Sequence, residues 1–362
     1  MRPPRPNLRE FAALPDDQAP LVSIIVPARN EAENIGRCVG SLLRSEYPNF
    51  EIIVVDDRSD DGTADIVAEF GARDARARLV RGAELPGEWY GKPWACWQGF
   101  EQSKGELILF TDADTEHSPT LLPRAVAALK QQRAELLTVM PRQEMITFWE
   151  RVVQPFFFLI LGIRYGSLER INRNTNPRHG IANGQFLLVT RESYLAVGGH
   201  QALRNTVIED LMMGVNYIKA GRRHLMALAD EDMATRMYSS LGGMVEGWSK
   251  NFFMGGYYTM RSVAMTYVGI LGALTLPACF LLPAAAIVWG ILRHSPAVAA
   301  FGVVAYGGLS AFIALFLRAG RAPMIYGLCH PLGALVQAFI ILRSAARGRR
   351  RIEWKGRNYS HA

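Results

Sequence analysis

Three stretches decide the fold: LVSIIVPARNEAENI at 21–35, EIIVVDDRSDDGT at 51–63 and ELILFTDAD at 106–114. Each joins a continuous apolar run, of the kind that forms a strand buried on both faces, to a cluster of polar residues at its carboxyl end. Helix signals lie between them. Asn30 is placed to cap a helix with Glu33 as its N3 acid, and Ile35, Cys38, Val39, Leu42 and Leu43 follow at helical spacing. Thr63 opens a second helix through Phe70, ARLV at 77–80 reads as a short strand, and residues 93–103 as a further helix. The alternation predicts an α/β domain with a mostly parallel sheet, whose ligands sit at the carboxyl ends of the strands.

Chemistry gathers at those ends. Pro27, Ala28, Arg29, Asn30 and Glu31 close the first strand, Asp56 to Thr63 the second, and Asp112-Ala113-Asp114 the later one. Asp57 is suited to accept a hydrogen bond from a ring N–H of a base. The plainer reading makes 56–63 an acidic turn with Thr63 as a helix cap. Three acidic strand ends in one crevice repel one another unless a cation or partner offsets them. On an extended backbone Asp112 and Asp114 project to the same side, so the pair is suited to share a divalent ion, Mg2+ or Mn2+, bridging a diphosphate. The chain has no GxGxxG after its first strand and no GxxxxGK[ST], which disfavours a dinucleotide-binding Rossmann domain and a P-loop NTPase.

In their order, PARNEAENI, VVDDRSDDGT, Gly91-Lys92-Pro93 and FTDAD resemble the motifs of family 2 glycosyltransferases of the GT-A fold, over most of residues 20 to 235. The resemblance implies that the first-strand turn (Pro27, Ala28, Arg29, Glu31) and Asp57 hold uridine. Lys92 would sit by the nucleotide, and Asp112 and Asp114 would carry the metal. It also implies a catalytic base on a later acidic motif, and Ile208-Glu209-Asp210 occupies that place. Asp210 would deprotonate an acceptor hydroxyl that displaces the nucleotide with inversion. Taken by itself, the local sequence makes Asp210 an ordinary acid at a helix N-terminus. Asp112, Glu209 and Gly184, in Asn183-Gly184-Gln185-Phe186, would approach the donor sugar, where glycine admits the main chain closely. His200 and His224 read as structural or solvent-facing.

The net charge of +7 is unevenly spread. Residues 343–362 hold seven Lys or Arg and one Glu, while 263–342 hold only Arg293, Arg318 and Arg321. The first 262 residues are therefore slightly acidic, which disfavours a nucleic-acid binder. The charge-poor stretch reads as membrane: 297–317 and 324–342 are each long enough to span, and a soluble core is the alternative. Residues 262–292 contain Pro277 and Pro283, leaving one kinked span, two short crossings or a re-entrant hairpin. Catalytic domain and basic tail both belong in the cytoplasm, so the crossings should be even in number, and 262–292 is expected to form two short crossings or the hairpin. The Pro-rich start has no apolar run and reads as lacking a signal peptide. Four scattered cysteines disfavour a disulfide or zinc framework.

The expected organisation is a Pro-rich segment (1–20), a GT-A domain (21–240), an interfacial segment (241–261), a transmembrane region (262–342) and a basic cytoplasmic tail (343–362). The run VVQPFFFLILGI at 152–163 is too short to span and reads as interfacial or as a core helix of the transferase domain. Glu246 to Asn251 stands where membrane synthases of the family carry QxxRW; the departure argues against a processive polysaccharide synthase. There Trp248 is a candidate to stack on an acceptor and Lys250 to meet the diphosphate, the alternative being an interface anchor. The tail, with Trp354-Lys355-Gly356-Arg357 and Tyr359, is similar to that of bacterial lipid glycosyltransferases of hopanoid and carotenoid pathways. The expectation is an inner-membrane enzyme moving one sugar from a UDP-sugar to a lipid acceptor with inversion. A nucleotidyl or phosphoglycosyl transferase and a non-catalytic scaffold are the alternatives.

Overall fold

The computed structural model describes residues 6–260 and 262–348, and the backbone of 352–354 and 357–359. The chain forms two compact units. The first holds residues up to Gln143 and Ser167–Thr235; the second holds Glu144–Gly166 and most of the chain from Arg236 onward.

In the first unit an eight-stranded sheet has the order β3-β2-β1-β4-β7-β6-β8-β5. Its strands are β1 (Val22–Ala28), β2 (Phe50–Asp56), β3 (Ala77–Arg81), β4 (Leu107–Phe110), β5 (Thr115–His117), β6 (Leu136–Gln143), β7 (Leu187–Thr190) and β8 (His224–Thr235). The four strands β3, β2, β1 and β4 run parallel, in register from Val22 opposite Phe50 to Ala28 opposite Asp56. β7 is antiparallel to both β4 and β6. The helices are α1 (Ile35–Leu43), α2 (Thr63–Arg73), α3 (Gly91–Glu101), α4 (Leu121–Gln131), α6 (Leu168–Asn172), α7 (Arg191–Ala196) and α8 (Glu209–Lys219). Val22, Ile24, Ile25, Val26, Ile52, Ile53, Val54 and Val55 are all fully buried, which is why both runs read as continuous rather than alternating.

Two local expectations differ. Asn30 does not cap α1, which starts at Ile35; Asn30 takes a left-handed backbone (φ 52°) in the loop before it. Asp112 and Asp114 lie in a turn between β4 and β5 rather than on extended backbone. The N-terminal segment also joins this unit: Leu8 is fully buried in the sheet core and Asn7 bridges to Leu228.

The second unit holds α5 (Phe148–Tyr165), α9 (Leu241–Met260), α10 (Val263–Leu292), α11 (Pro296–Ala319) and α12 (His330–Arg347), the last preceded by a 3-10 turn at Met324–Cys329. Residues 262–292 make neither two crossings nor a hairpin: α10 is a single helix that runs through Pro277 and Pro283. Three segments, Val263–Leu292, Pro296–Ala319 and Met324–Arg347, are long and apolar enough to cross a membrane. The run at 152–163 lies in α5, with these helices rather than in the transferase core. Gly333 lets α12 approach the Val152 carbonyl, and Gln337 Nε2 donates to the Phe156 carbonyl at 2.9 Å. Residues 349–351, 355, 356 and 360–362 of the basic tail lie outside the described residues.

A Cβ at Gly333 has no room against Val152 and Phe156. Gly333→Ala is therefore expected to cost about 1–3 kcal/mol through overpacking, read as a lower melting temperature of the detergent-solubilised protein.

Candidate functional site

Lys92 is the centre of the site. It lies in the first turn of α3, and its Nζ sits 2.8 Å from Asp112 Oδ1 and 2.9 Å from Glu209 Oε1. Burial works against the ammonium, but Asp112, Glu209 and Asp210 together hold its pKa well above the ordinary lysine value. Burial raises the Glu209 carboxyl, and Lys92 opposes that rise. Asp210, at the start of α8, is held by two backbone donors: Gly184 N–H to Oδ2 at 3.0 Å and Leu211 N–H to Oδ1 at 2.7 Å. Gly184 packs closely here: a Cβ would stand 3.1 Å from the Asp210 Cβ and 3.2 Å from Lys92 Nζ.

These groups line one cavity with Pro27, and Cys96, Phe110, Thr111, Leu187 and His200 complete its wall. The sheet thus brings Pro27, Lys92, Asp112, Gly184, Glu209 and Asp210 together from β1, α3, the β4–β5 turn, the β7 approach and α8. Asp57 is fully buried and does not line this cavity. It belongs to a second cluster in which the loops after β1 and β2 are tied together. There Ala28 accepts from the Asp57 N–H, and Arg29 donates to the Asp57 carbonyl at 2.6 Å and the Arg58 carbonyl at 3.1 Å. Asn30 N–H bonds Ser59 Oγ, Glu31 N–H bonds Thr63 Oγ1, and Ala32 N–H bonds Asp61 Oδ2, each at 2.9 Å. Asp60 N–H returns a bond to Asn30 Oδ1 at 3.1 Å.

Asp114 lies beside the cavity wall. Burial, then the charges of Asp112 and Glu31, push its carboxyl up to about 7. Its Oδ1 is buried with no hydrogen-bond partner. Beneath the turn, Thr111 Oγ1 donates to the Gln185 carbonyl, Thr115 Oγ1 approaches the Asp112 carbonyl at 2.7 Å, and both hydroxyls meet His117 Nε2. Burial lowers the His117 pKa to about 3, so the ring is neutral. Sequence reasoning missed this support because Thr111, Thr115 and His117 carry no motif of their own. His200, one of the two histidines read as structural or solvent-facing, is buried with its Nδ1 2.8 Å from the Tyr194 hydroxyl, and it also borders the cavity.

The acceptor candidates fall in the second unit. Trp248 stacks on Phe157 of α5, with ring centroids 4.3 Å apart and an 8° interplanar angle, and Lys250 is half-buried on α9.

The strand-end cavity is thus lined by three carboxylates and one lysine. Residues 23–197 match the family model described as glycosyl transferase family 2. Residues 23–197 are therefore a family 2 glycosyltransferase domain. The transferase is 28% identical over 351 residues to the 4,4'-diaponeurosporenoate glycosyltransferases of Staphylococcus aureus strains MRSA252 and USA300, covering 94% of this chain and 88% of each relative. Its fold is similar to that of the mannosyltransferase PcManGT from Pyrobaculum calidifontis, solved in complex with GDP-Man and Mn2+. That likeness has a TM-score of 0.54 at 18% identity and covers 96% of this chain and 90% of the other. The transferase therefore has the GT-A architecture expected from its motifs.

Replacing Lys92 by Met leaves Asp112 and Glu209 facing each other without their cation. The variant should lose roughly 1–3 kcal/mol of stability at neutral pH. Because unpaired carboxylates are relieved by protonation, the deficit should shrink as pH falls. Urea melts across a pH series read both effects, and a deficit that grows toward acid contradicts the pairing.

Proposed function

We propose that the transferase moves one sugar from a UDP-sugar to an apolar acceptor dissolved in the membrane, through a hydroxyl or carboxyl oxygen and with inversion at the anomeric carbon. The observation that carries this reading is the convergence of Lys92, Asp112, Glu209 and Asp210 on one cavity at the carboxyl ends of the strands. Asp210 is fixed by the Gly184 and Leu211 N–H groups, which orient it as a base. The acceptor oxygen attacks the anomeric carbon from the face opposite the diphosphate. The bond from that carbon to the diphosphate breaks and its electron pair leaves with UDP. From a hydroxyl acceptor, the proton goes to Asp210. Gly184, Asp112 and Glu209 border the donor sugar; the β1 turn (Pro27, Ala28, Arg29, Glu31) and Asp57 border the nucleoside, with Lys92 beside its diphosphate.

The residues fit a divalent cation, Mg2+ or Mn2+. Asp114 presents a buried carboxylate oxygen that no protein group satisfies, and Asp112 stands next to it. Among the described residues no three His, Cys, Asp or Glu side chains gather closely enough to hold a metal alone, which suits an ion that takes its remaining ligands from substrate phosphates. When bound, the ion would neutralise charge on the departing diphosphate.

The relatives named for 4,4'-diaponeurosporenoate favour a carotenoid-type acid as acceptor. The three apolar helices favour a membrane-bound enzyme, with its catalytic unit on the cytoplasmic side. A carboxylic acid is already ionised at neutral pH and asks nothing of a base, whereas a hydroxyl does. Asp210→Asn is therefore expected to bind UDP within about twofold of the parent while transfer to a hydroxyl acceptor falls by about 10²–10⁴. Transfer to a carboxylate acceptor should fall far less. Lipid extracts from reactions with labelled UDP-sugars, resolved by mass spectrometry, measure both; an undiminished rate on a hydroxyl acceptor removes Asp210 as the base.

Metal binding should depend on pH. With Asp114 at about 7, a proton competes with the cation below that value and is gone above it. Mn2+ affinity in the presence of UDP is expected to strengthen from pH 6 to pH 8, and Asp114→Asn to abolish most of the gain. Paramagnetic-resonance titration of free Mn2+ reads this without any turnover; equal affinity at both pH values contradicts it.

A further inference from the structure

Contacts within the second unit fix the relative levels of its helices. Gly302 of α11 lies against the Pro283 carbonyl and the Ile287 nitrogen of α10, and Gly290 lies against Ala299. α10 and α11 are therefore an antiparallel pair, and α11 ends at the level where α10 begins. From there the chain turns back along α11. Gly327 lies against the Ser310 carbonyl and Ala314, and the Leu328 carbonyl accepts the Tyr306 hydroxyl at 2.6 Å. His330 then sits between Tyr306 and Phe280, with ring centroids 4.6 and 5.6 Å away, near the middle of α11 and of α10. α12 climbs back: the Ala345 carbonyl accepts the Tyr267 hydroxyl at 3.2 Å, near the start of α10. The lengths agree. At 1.5 Å per residue, Tyr267 to Phe280 spans about 20 Å of α10 and His330 to Ala345 about 22 Å of α12.

We propose that Met324–Arg347, although long enough to span, is a re-entrant hairpin that enters and leaves the membrane on the face where α10 begins, with its apex at Cys329-His330. Only α10 and α11 cross. The surface of the hairpin fits the acyl chains of a single leaflet: Leu332, Leu335, Phe339 and Leu342 form an exposed stripe along α12, and Ile325 and Leu328 are exposed on the descending turn. Non-helical backbone is tolerated at membrane depth only where protein covers it. Here Gly327 is buried against α11 and the Leu328 carbonyl is satisfied by Tyr306.

Charge points the same way. The hairpin gathers Arg318 and Arg321, at the end of α11, onto one face with Arg343 and Arg347, leaving Arg293 at the opposite turn. A third full crossing would split these groups across the bilayer. The basic face is the cytoplasmic one. α9 lies across this same face rather than descending, since Met244 packs by Ile340, Glu246 pairs with Arg343 and Arg347, and Gly256 meets Thr266.

Full-length chains carrying His294→Cys, Arg321→Cys or Ser360→Cys, probed in intact cells with a membrane-impermeant maleimide, test the arrangement. The unaltered chain sets the background, its cysteines being buried in the first unit or at membrane depth. Only His294→Cys is expected to label in intact cells; the other two should label only after permeabilisation. A fluorescent protein fused to the C-terminus of the unaltered chain should fold and fluoresce, as it does only in the cytoplasm. Ser360→Cys labelling together with His294→Cys, and a dark fusion, would establish a third crossing and overturn the proposal. Protection of His294→Cys in intact cells would overturn it as well, because α10 and α11 would then not cross. Neither readout depends on sugar transfer.

Discussion

One half-buried lysine organises the catalytic half of this molecule. Without Lys92, the acids at 112, 209 and 210 would converge from separate elements on a space where like charges raise each other's energy. The ammonium holds two of them directly and lies in contact range of the loop that fixes the third. It therefore sets how close the β4–β5 turn and the start of α8 come. Gly184 completes the arrangement from the side of β7, where a Cβ would come within 3.2 Å of both Lys92 and Asp210.

The second unit solves a different problem, which is how to place polar groups among apolar helices. Gln337 is fully buried and reaches the Phe156 carbonyl, and Tyr306 satisfies the carbonyl at the lowest point of the 3-10 turn. Apart from Arg293 at the α10–α11 turn, the charges of α11 and α12 lie at their other ends, with Glu246 between Arg343 and Arg347. Small residues allow the close approaches: Gly302 for α10 against α11, Gly327 for the turn against α11, and Gly333 for α12 against α5.

Much of this was legible in the sequence, for identifiable physical reasons. Strands buried on both faces announce themselves as continuous apolar runs, so β1, β2 and β4 and their polar ends were plain. The order of motifs placed Lys92, Asp112, Gly184 and Asp210, and the structure gathers them at one cavity. Less was legible where three-dimensional context overrides a local signal. Asn30 looks like a cap, but its side chain and amide are committed to Asp60 and Ser59 on the neighbouring loop. Trp248 looks like a free stacking surface, yet Phe157, ninety-one residues earlier, already covers it. Pro277 and Pro283 look like breaks, but in a helix packed among other helices the freed backbone groups do not end it. Hydropathy found all three apolar segments, although Pro296–Ala319 and Met324–Arg347 run past the stretches 297–317 and 324–342 read from it. It could not tell a span from a segment that turns back, because both bury the same side chains.

The interlocked loops after β1 and β2 have a consequence for how the protein fluctuates. Six hydrogen bonds join Arg29, Asn30, Glu31 and Ala32 to Asp57, Arg58, Ser59, Asp60, Asp61 and Thr63. Neither loop can open while the other stays closed without breaking most of that set. The two therefore form one cooperative opening unit, although they lie on different strands and about thirty residues apart in sequence. A ligand that touches only one of them protects the backbone amides of both from solvent, and slow exchange would extend over 29–32 and 57–63 as a single step.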